Sequence, residues 1–394
     1  MMVGLSALAT AQEVAPVAKQ DFQAIHQNGI ALYRASKIGE AEAELRRALE
    51  INPSYAPARL DLAGLLLKMG RTKESLAHYA HLALKQDPKN IDFRYRYGTA
   101  LQAIGQLKPA SDQLAEALRI DPKRADIRRD LIGVMLADSA FMQASNVSAD
   151  GVKMRPNDAS VLNDHGVVLM RLGKKEAAIE SFRKAVEVDK EHVDANYNVG
   201  LVLMEQWKLD ESIAYLREAI RLRPEYTDAH YNLGLALAKA GSHDEASAEF
   251  EKAIAGKTDY HRAYFEDAMV AKRQGDLKRA ASRMTEAIRH SPGDARCKFE
   301  LGMLMMEMDR AKLAVRQFES ILQTSPENDR AHYQLGRALA ASGQPAKAIA
   351  HFREASWLRP GWQEPLNAAL QCAEANDLPA TVVDELRKSM EATP

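Results

Sequence analysis

The sequence predicts an all-α fold, a solenoid of stacked antiparallel helix hairpins. Three observations predict it: a helix-forming composition, a 34-residue period marked by prolines, and a small/large alternation of apolar residues in the same period. Ala, Leu, Glu, Lys and Arg dominate, while aromatic residues make up only 6% of the 394 positions, which speaks against a sheet protein. Prolines recur at Pro53, Pro88, Pro122, Pro156, Pro224, Pro292, Pro326, Pro360 and Pro394, at intervals of 34 or twice 34 after a first step of 35. The phase is held at Lys190 and Thr258, where proline is missing. A proline after the second helix of each repeat prevents that helix from running into the next.

In the first helix of each repeat, Gly29, Gly64, Gly98, Gly166, Gly200, Gly234, Gly302 and Gly336 share one place. Glycine there costs about 1 kcal/mol of helix propensity relative to alanine, so a close crossing of two helices must offset it. The second helix carries alanines at one place from Ala41 to Ala348 and again seven residues on, from Ala48 through Ala83 to Ala355. Between them stand Leu45, Leu114, Phe182, Leu216, Phe250, Met284, Phe318 and Phe352, large residues that fill space beside the small ones. Gly70, Gly105, Gly173, Gly241, Gly275 and Gly343 mark the turn inside the hairpin.

Three repeats depart from the pattern. In the one ending at Pro156 (irregular unit 125–158), Ser148 replaces the large residue and Gly151 an alanine, so the helix around Asn146 and Asp150 is expected to be weak. Either this repeat is a hinge, or Phe141 and Met142 fill the gap. In the repeat starting near His261, Asp267, Ala268 and Ala271 replace the usual apolar, glycine and large apolar residues. Asp267 then pairs with a base, turns to solvent or serves a function. The last repeat puts Leu370 at the glycine place and ends in DELRKSMEATP, a polar terminal cap over 363–394.

With YNVGLVL, YNLGLAL and YQLGRAL followed by the Ala, Phe/Leu, Ala and Pro spacing, the chain resembles the tetratricopeptide repeats, in about eleven units over 22–394. The resemblance implies one continuous right-handed superhelix with first helices lining a concave groove that binds a peptide or protein segment. It also implies a non-enzymatic scaffold, placed here in the assembly of an envelope or secretion complex. The alternative is a regulatory or substrate-recruiting subunit of a separately encoded enzyme, such as a glycosyltransferase or protease. Some family members clamp a terminal carboxylate with Lys and Asn of adjacent first helices. The matching places here hold His26, Ile30, Asp61 and Leu65, so that clamp is not expected.

One first-helix place is aromatic in five successive repeats: Tyr197, Tyr231, Phe265, Phe299 and Tyr333. Four residues on, and so on the same face, come Leu201, Leu235, Met269, Met303 and Arg337, with Asn198, Asn232 and Gln334 beside the rings. These thirteen residues form the candidate peptide-binding stripe. The competing reading packs the same rings between first helices. Met303, Met305, Met306 and Met308 read as core at helical spacing.

No catalytic constellation, cofactor motif or metal-ligand spacing is present; His230 and His332 share a repeat place that reads as packing. A net charge of -1 gives no reason to expect nucleic acid or an anionic membrane as partner, and RNA binding ranks third among the readings. Lys123, Arg124, Arg128 and Arg129 read as a solvated helix start. Cys297 and Cys372 are too few for a disulfide framework. No apolar run is long enough to span a membrane. Met1 to Ala11, ending in Ala9-Thr10-Ala11, reads with its linker (1–21) as an export signal without its basic leader, for a periplasmic or secreted protein. Otherwise the chain is cytoplasmic. The oligomeric state is not legible.

Overall fold

The computed structural model describes residues 21–391, so the export segment and Pro394 lie outside the described residues. Helices, with no strand, make up the secondary structure of the described residues. The chain divides into two compact units, the first ending at Val188 and the second beginning at Asp189.

In the first unit, the hairpins are α1 (Phe22–Arg34) with α2 (Ile38–Ile51), α3 (Ala56–Lys68) with α4 (Thr72–Ala80), α5 (Ile91–Ala103) with α6 (Leu107–Ile120), α7 (Ala125–Ala137) with α8 (Phe141–Met154), and α9 (Ala159–Arg171) with α10 (Lys175–Val188). In the second they are α11 (Val193–Glu205) with α12 (Leu209–Leu222), α13 (Thr227–Ala240) with α14 (His243–Gly256), α15 (His261–Arg273) with α16 (Leu277–His290), α17 (Ala295–Glu307) with α18 (Ala311–Leu322), α19 (Asp329–Ala341) with α20 (Pro345–Leu358), and α21 (Gln363–Ala375) with α22 (Ala380–Glu391). Each helix packs on its hairpin mate, and within each unit each hairpin packs on the next.

The glycine places are where the hairpins close. A Cβ added at Gly166, Gly234, Gly302 or Gly336 would come within 2.5–2.7 Å of the ring of Phe182, Phe250, Phe318 or Phe352. At Gly200 it would meet Leu216 at 2.7 Å, and at Gly98 it would meet Leu114 at 2.9 Å. Burying such a ring stabilises by roughly 1.5–3 kcal/mol, more than the glycine costs its helix. The turn inside every hairpin uses a left-handed residue: the six predicted glycines, and also Ser36, Ser139, Trp207, Asp309 and Asp377.

Gly64 does not stand at the glycine place. The extra residue of the first 35-residue step is absorbed where α4 passes into a π-helical turn over His81–Gln86. Up to that point the second repeat keeps 34-residue phase with the first, so Ala63 faces the large residue, which is Tyr79. The hydroxyls confirm the phase: Ser75 donates to the Ala63 carbonyl as Ser212 donates to that of Gly200, each at 2.7 Å.

The irregular repeat solves the same packing problem with sizes exchanged. Ile132 holds the glycine place and Ser148 the place of the ring, 5% and 1% exposed respectively. Met142 does not fill the gap, being 64% exposed. Instead, Ser148 Oγ meets His165 Nδ1 at 2.9 Å, and the Arg128 side chain occupies the space beside Gly151. The helix expected to be weak, α8, runs unbroken across Asn146 and Asp150. Arg128 is therefore buried rather than solvated, whereas Arg124 pairs with Asp126 and Arg129 with Asp164.

Asp267 stands at the place of Leu233 and Leu335 and is fully buried. Two bases from α16 neutralise it, Arg279 Nη2 and Arg283 Nε, each 2.8 Å from its carboxylate. Arg283 continues to Glu251 at 2.7 Å. The pairing reading holds, with the desolvation of the carboxylate offset by two guanidinium groups.

One place on the first helices ties each hairpin to the turn before it. Arg59, Arg94, Arg128, Asn196, His230 and His332 each donate to the carbonyl six residues back, at Pro53, Pro88, Pro122, Lys190, Pro224 and Pro326. His230 Nε2 thus carries a proton, and its Nδ1 lies 2.5 Å from the Glu249 carboxylate, which accepts only. The hydrogen bond to Glu249 favours the protonated ring and raises its pKa. His332 makes the same carbonyl contact, but its Nδ1 faces His351 Nδ1 at 3.0 Å, so one of these two nitrogens is bare. Burial, then His332, lowers the pKa of His351.

Three outcomes follow for stability. Gly234→Ile alone costs about 1–3 kcal/mol by overpacking. Adding Phe250→Ser, which copies Ile132 and Ser148, costs less than the sum of the two single changes in denaturation midpoints; strict additivity would remove the proposed contact. Asp267→Ala strands two guanidinium groups and lowers stability by about 3–5 kcal/mol in urea titration, against about 0.5 kcal/mol for an uncoupled site. The raised pKa of His230 makes its contribution full below the ordinary histidine value of about 6.5 and lost as pH rises through the raised one. Glu249, held low by His230 and Lys252 despite burial, requires only that pH stay above its lowered value. The melting difference between wild type and His230→Asn is therefore largest near pH 6 and shrinks toward pH 8.

Candidate functional site

In the second unit, first helices approach one another along the stack, α11 with α13, α13 with α15, α17 with α19 and α19 with α21. No pair of second helices comes as close. This is the tighter side of the unit, where residues of neighbouring repeats converge on one face.

The thirteen predicted stripe residues fall into two groups on this face. The rings are largely interior: Tyr231 and Phe265 are 6% exposed and Tyr333 9%, while Tyr197 and Phe299 are half-buried. Tyr231, Phe299 and Tyr333 pack against Phe250, Phe318 and Phe352, the rings that fill the glycine places, at centroid distances of 5.9, 5.6 and 5.9 Å. The flank is accessible. Leu201, Leu235, Met269 and Met303 are half-buried, as are Asn198, Asn232 and Gln334, and Arg337 is exposed. Asn232 Nδ2 donates to the Tyr197 hydroxyl at 2.9 Å and to the Asp228 carbonyl at 2.8 Å, fixing its orientation. Arg337 donates to Gln334 at 3.1 Å.

A second aromatic row was legible in the sequence but passed over. Tyr226, Tyr260 and Trp362 stand two residues after the proline place and precede first helices as N-caps. They pack at a tilt on Tyr197, Tyr231 and Tyr333 of the preceding hairpin, with centroids 4.9–5.0 Å apart. Where this place is Asp294 or Asn328, the side chain instead caps its own helix, accepting from Cys297 N and Ala331 N. The N-cap position thus serves either the helix end or the ring of the neighbour. Burial raises the pKa of Tyr197, and burial with the hydrogen bond to Glu364 pushes that of Tyr333 up to about 12. Both hydroxyls therefore stay neutral at physiological pH.

Guanidinium groups cover this layer. Arg262 lies 5.8 Å from the Tyr231 centroid and Arg296 4.1 Å from that of Phe265, each reaching back from the next hairpin. Arg337 lies 6.0 Å from Tyr333. Of the methionine group, Met305 is buried at 8% exposed, and Met303, Met306 and Met308 are partly buried against the same cluster. Burial, then Asp294, pushes the Cys297 thiol up to about 12, and burial also raises that of Cys372. In the first unit, the places of the carboxylate clamp bind each other, with His26 Nε2 2.7 Å from Asp61. Among the described residues, no group of three His, Cys, Asp or Glu side chains is placed to hold a metal, and no helix is long and apolar enough to cross a membrane.

Family models described as tetratricopeptide repeat match residues 163–226 and 203–261, and residues 32–82 and 309–356. No curated protein matches the sequence. Among solved structures, the chain is similar to YrrB, described as a TPR protein with an unusual peptide-binding site, at 23% identity and a TM-score of 0.43, covering 48% of this chain and 98% of that one. It is similar to MamA from Desulfovibrio magneticus RS-1 at 20% identity and a TM-score of 0.41, covering 43% and 97%. Yeast Tom70 aligns over 95% of this chain and 92% of its own at 15% identity and a TM-score of 0.42. On the helix hairpins of both units and these family matches, the chain is a tetratricopeptide-repeat protein, one of a family of scaffolds that bind peptide or protein partners.

Proposed function

We propose that this protein is a non-enzymatic scaffold that holds a peptide or protein segment against the first-helix face of its second unit. One observation carries the reading: Leu201, Leu235, Met269 and Met303 repeat at one accessible place on successive first helices, beside Asn198, Asn232 and Gln334. Apolar side chains of a bound segment gain from covering the first row, and its backbone finds amide donors and acceptors in the second. The buried rings beneath give the face a fixed shape, which lowers the ordering cost of binding. Binding without chemistry suits an assembly role. The small-residue pattern at Ala9-Thr10-Ala11 supports export, and with it assembly of an envelope or secretion complex.

A photo-crosslinking residue placed at Leu235 is expected to capture a partner in the native cell, whereas the same group at Arg221, on a second helix, is not. Leu235→Lys with Met269→Lys abolishes capture at unchanged melting temperature. Equal capture from both positions would defeat the groove reading. Sequencing the mature N-terminus tests export, which recovery of intact Met1 from the cytosolic fraction refutes.

A further inference from the structure

On second helices of the second unit, most exposed arginines carry counter-charges: Arg217 meets Glu245 at 2.6 Å, Arg221 meets Glu218 at 2.8 Å and Arg289 meets Glu286 at 2.7 Å, with Arg316 an exception. The first-helix face differs. Lys239, Arg262, Arg273 and Arg296 are exposed there, and none makes an ion pair among the described residues. They surround one half-buried carboxylate, Glu266, whose ionised form burial disfavours and those four bases favour. A single carboxylate faces four bases here, so positive charge is in excess at this place even with Glu266 ionised.

The bases are also held in place. Arg262 and Arg296 lie over Tyr231 and Phe265, and Lys239 sits 4.6 Å from the Trp207 centroid. Each ring orders its cation without an ion pair, and although Arg262 also hydrogen-bonds Tyr231, the remaining N–H donors of Arg262 and Arg296 can meet planar anions. Lys272, on α15, is by contrast committed to Glu300 and Glu307 at 3.3 and 3.4 Å.

We propose that the segment bound on this face is acidic, with its Asp or Glu carboxylates taken by Arg262 and Arg296 while Lys239 and Arg273 add to the field. This rests on the groove reading above and narrows the class of partner. Charge complementarity carries it: the chain as a whole is close to neutral, at -1, yet this patch concentrates unpaired positive charge at the accessible apolar row of Leu235 and Met269. Carboxylates recurring along an extended acidic peptide match guanidinium groups recurring from hairpin to hairpin.

Panning a random-peptide phage library on the full chain tests this, with a synthetic glutamate oligopeptide and a thymidine oligonucleotide as defined probes. The expected result is enrichment of acidic peptides whose affinity falls roughly tenfold or more in Arg262→Gln with Arg296→Gln. Arg221→Gln with Arg289→Gln, on second helices, leaves affinity unchanged. Circular dichroism checks the fold; if the first variant is unfolded, Lys239→Gln with Arg273→Gln is read in its place. Neutral or basic peptides that bind and are lost in Met269→Lys would overturn the acidic assignment and leave the groove reading standing. Peptides insensitive to both sets, or none selected, would overturn both. Oligonucleotide binding that outcompetes the glutamate peptide, with a steep salt dependence, would overturn the proposal in favour of nucleic acid.

Discussion

A side chain of the second helix lying where the first helix has no Cβ is the contact on which this architecture depends. A Cβ added at Gly234 would stand 2.7 Å from the Phe250 ring, so there is no space for even a methyl group and the two helices approach as closely as one backbone and one ring allow. The crossing sets the width of the hairpin. The width in turn places Tyr231 against Phe250 and leaves the accessible row of Leu235 and Asn232 on the first-helix side. Because each hairpin is completed by its neighbours, the fold accepts local exchanges of size that a single central core would resist.

Those exchanges mark what was legible in the sequence. The glycine-to-ring pairing could be read directly, since a helix tolerates a recurrent glycine only for a packing reason. Ile132 against Ser148 obeys the same rule with its members swapped, so a search for one pattern saw only a defect. The misplacement of Gly64 had a different source. A 35-residue step says that one residue is extra but not where it lies, and glycine was the obvious anchor. The structure puts the extra residue later, in a π-helical turn that leaves Ala63 opposite Tyr79. The turn residues that are not glycine, such as Trp207 at φ 59°, carry no propensity signal and appear only through their position in the period.

The candidate face was half legible for a related reason. Periodicity groups residues that share a place, but it does not say which shell of the stack that place occupies. Tyr231, Phe265 and Tyr333 recur because they pack on the rings behind them and under the N-cap aromatics or arginines of the next hairpin. The row that faces outward is the polar and aliphatic flank, less conspicuous in composition. Arg262 and Arg296 were missed altogether, because one basic residue among 53 has no distinction until its lack of a carboxylate partner is seen.

Ion pairing separates structural charge from available charge across the second unit. Asp267 replaces a core leucine, and the bases that compensate it sit on the mate helix, so Arg279 and Arg283 are committed to stability. One residue earlier, Glu266 faces the first-helix side, and none of the bases around it is so committed. Adjacent carboxylates on one helix thus meet opposite fates, because a helix turns about 100° per residue and separates the two sides of the hairpin. The same helix closes its hairpin with one face and carries, on the other, bases that make no ion pair. That division lets a repeat vary its accessible face without disturbing the contact that folds it.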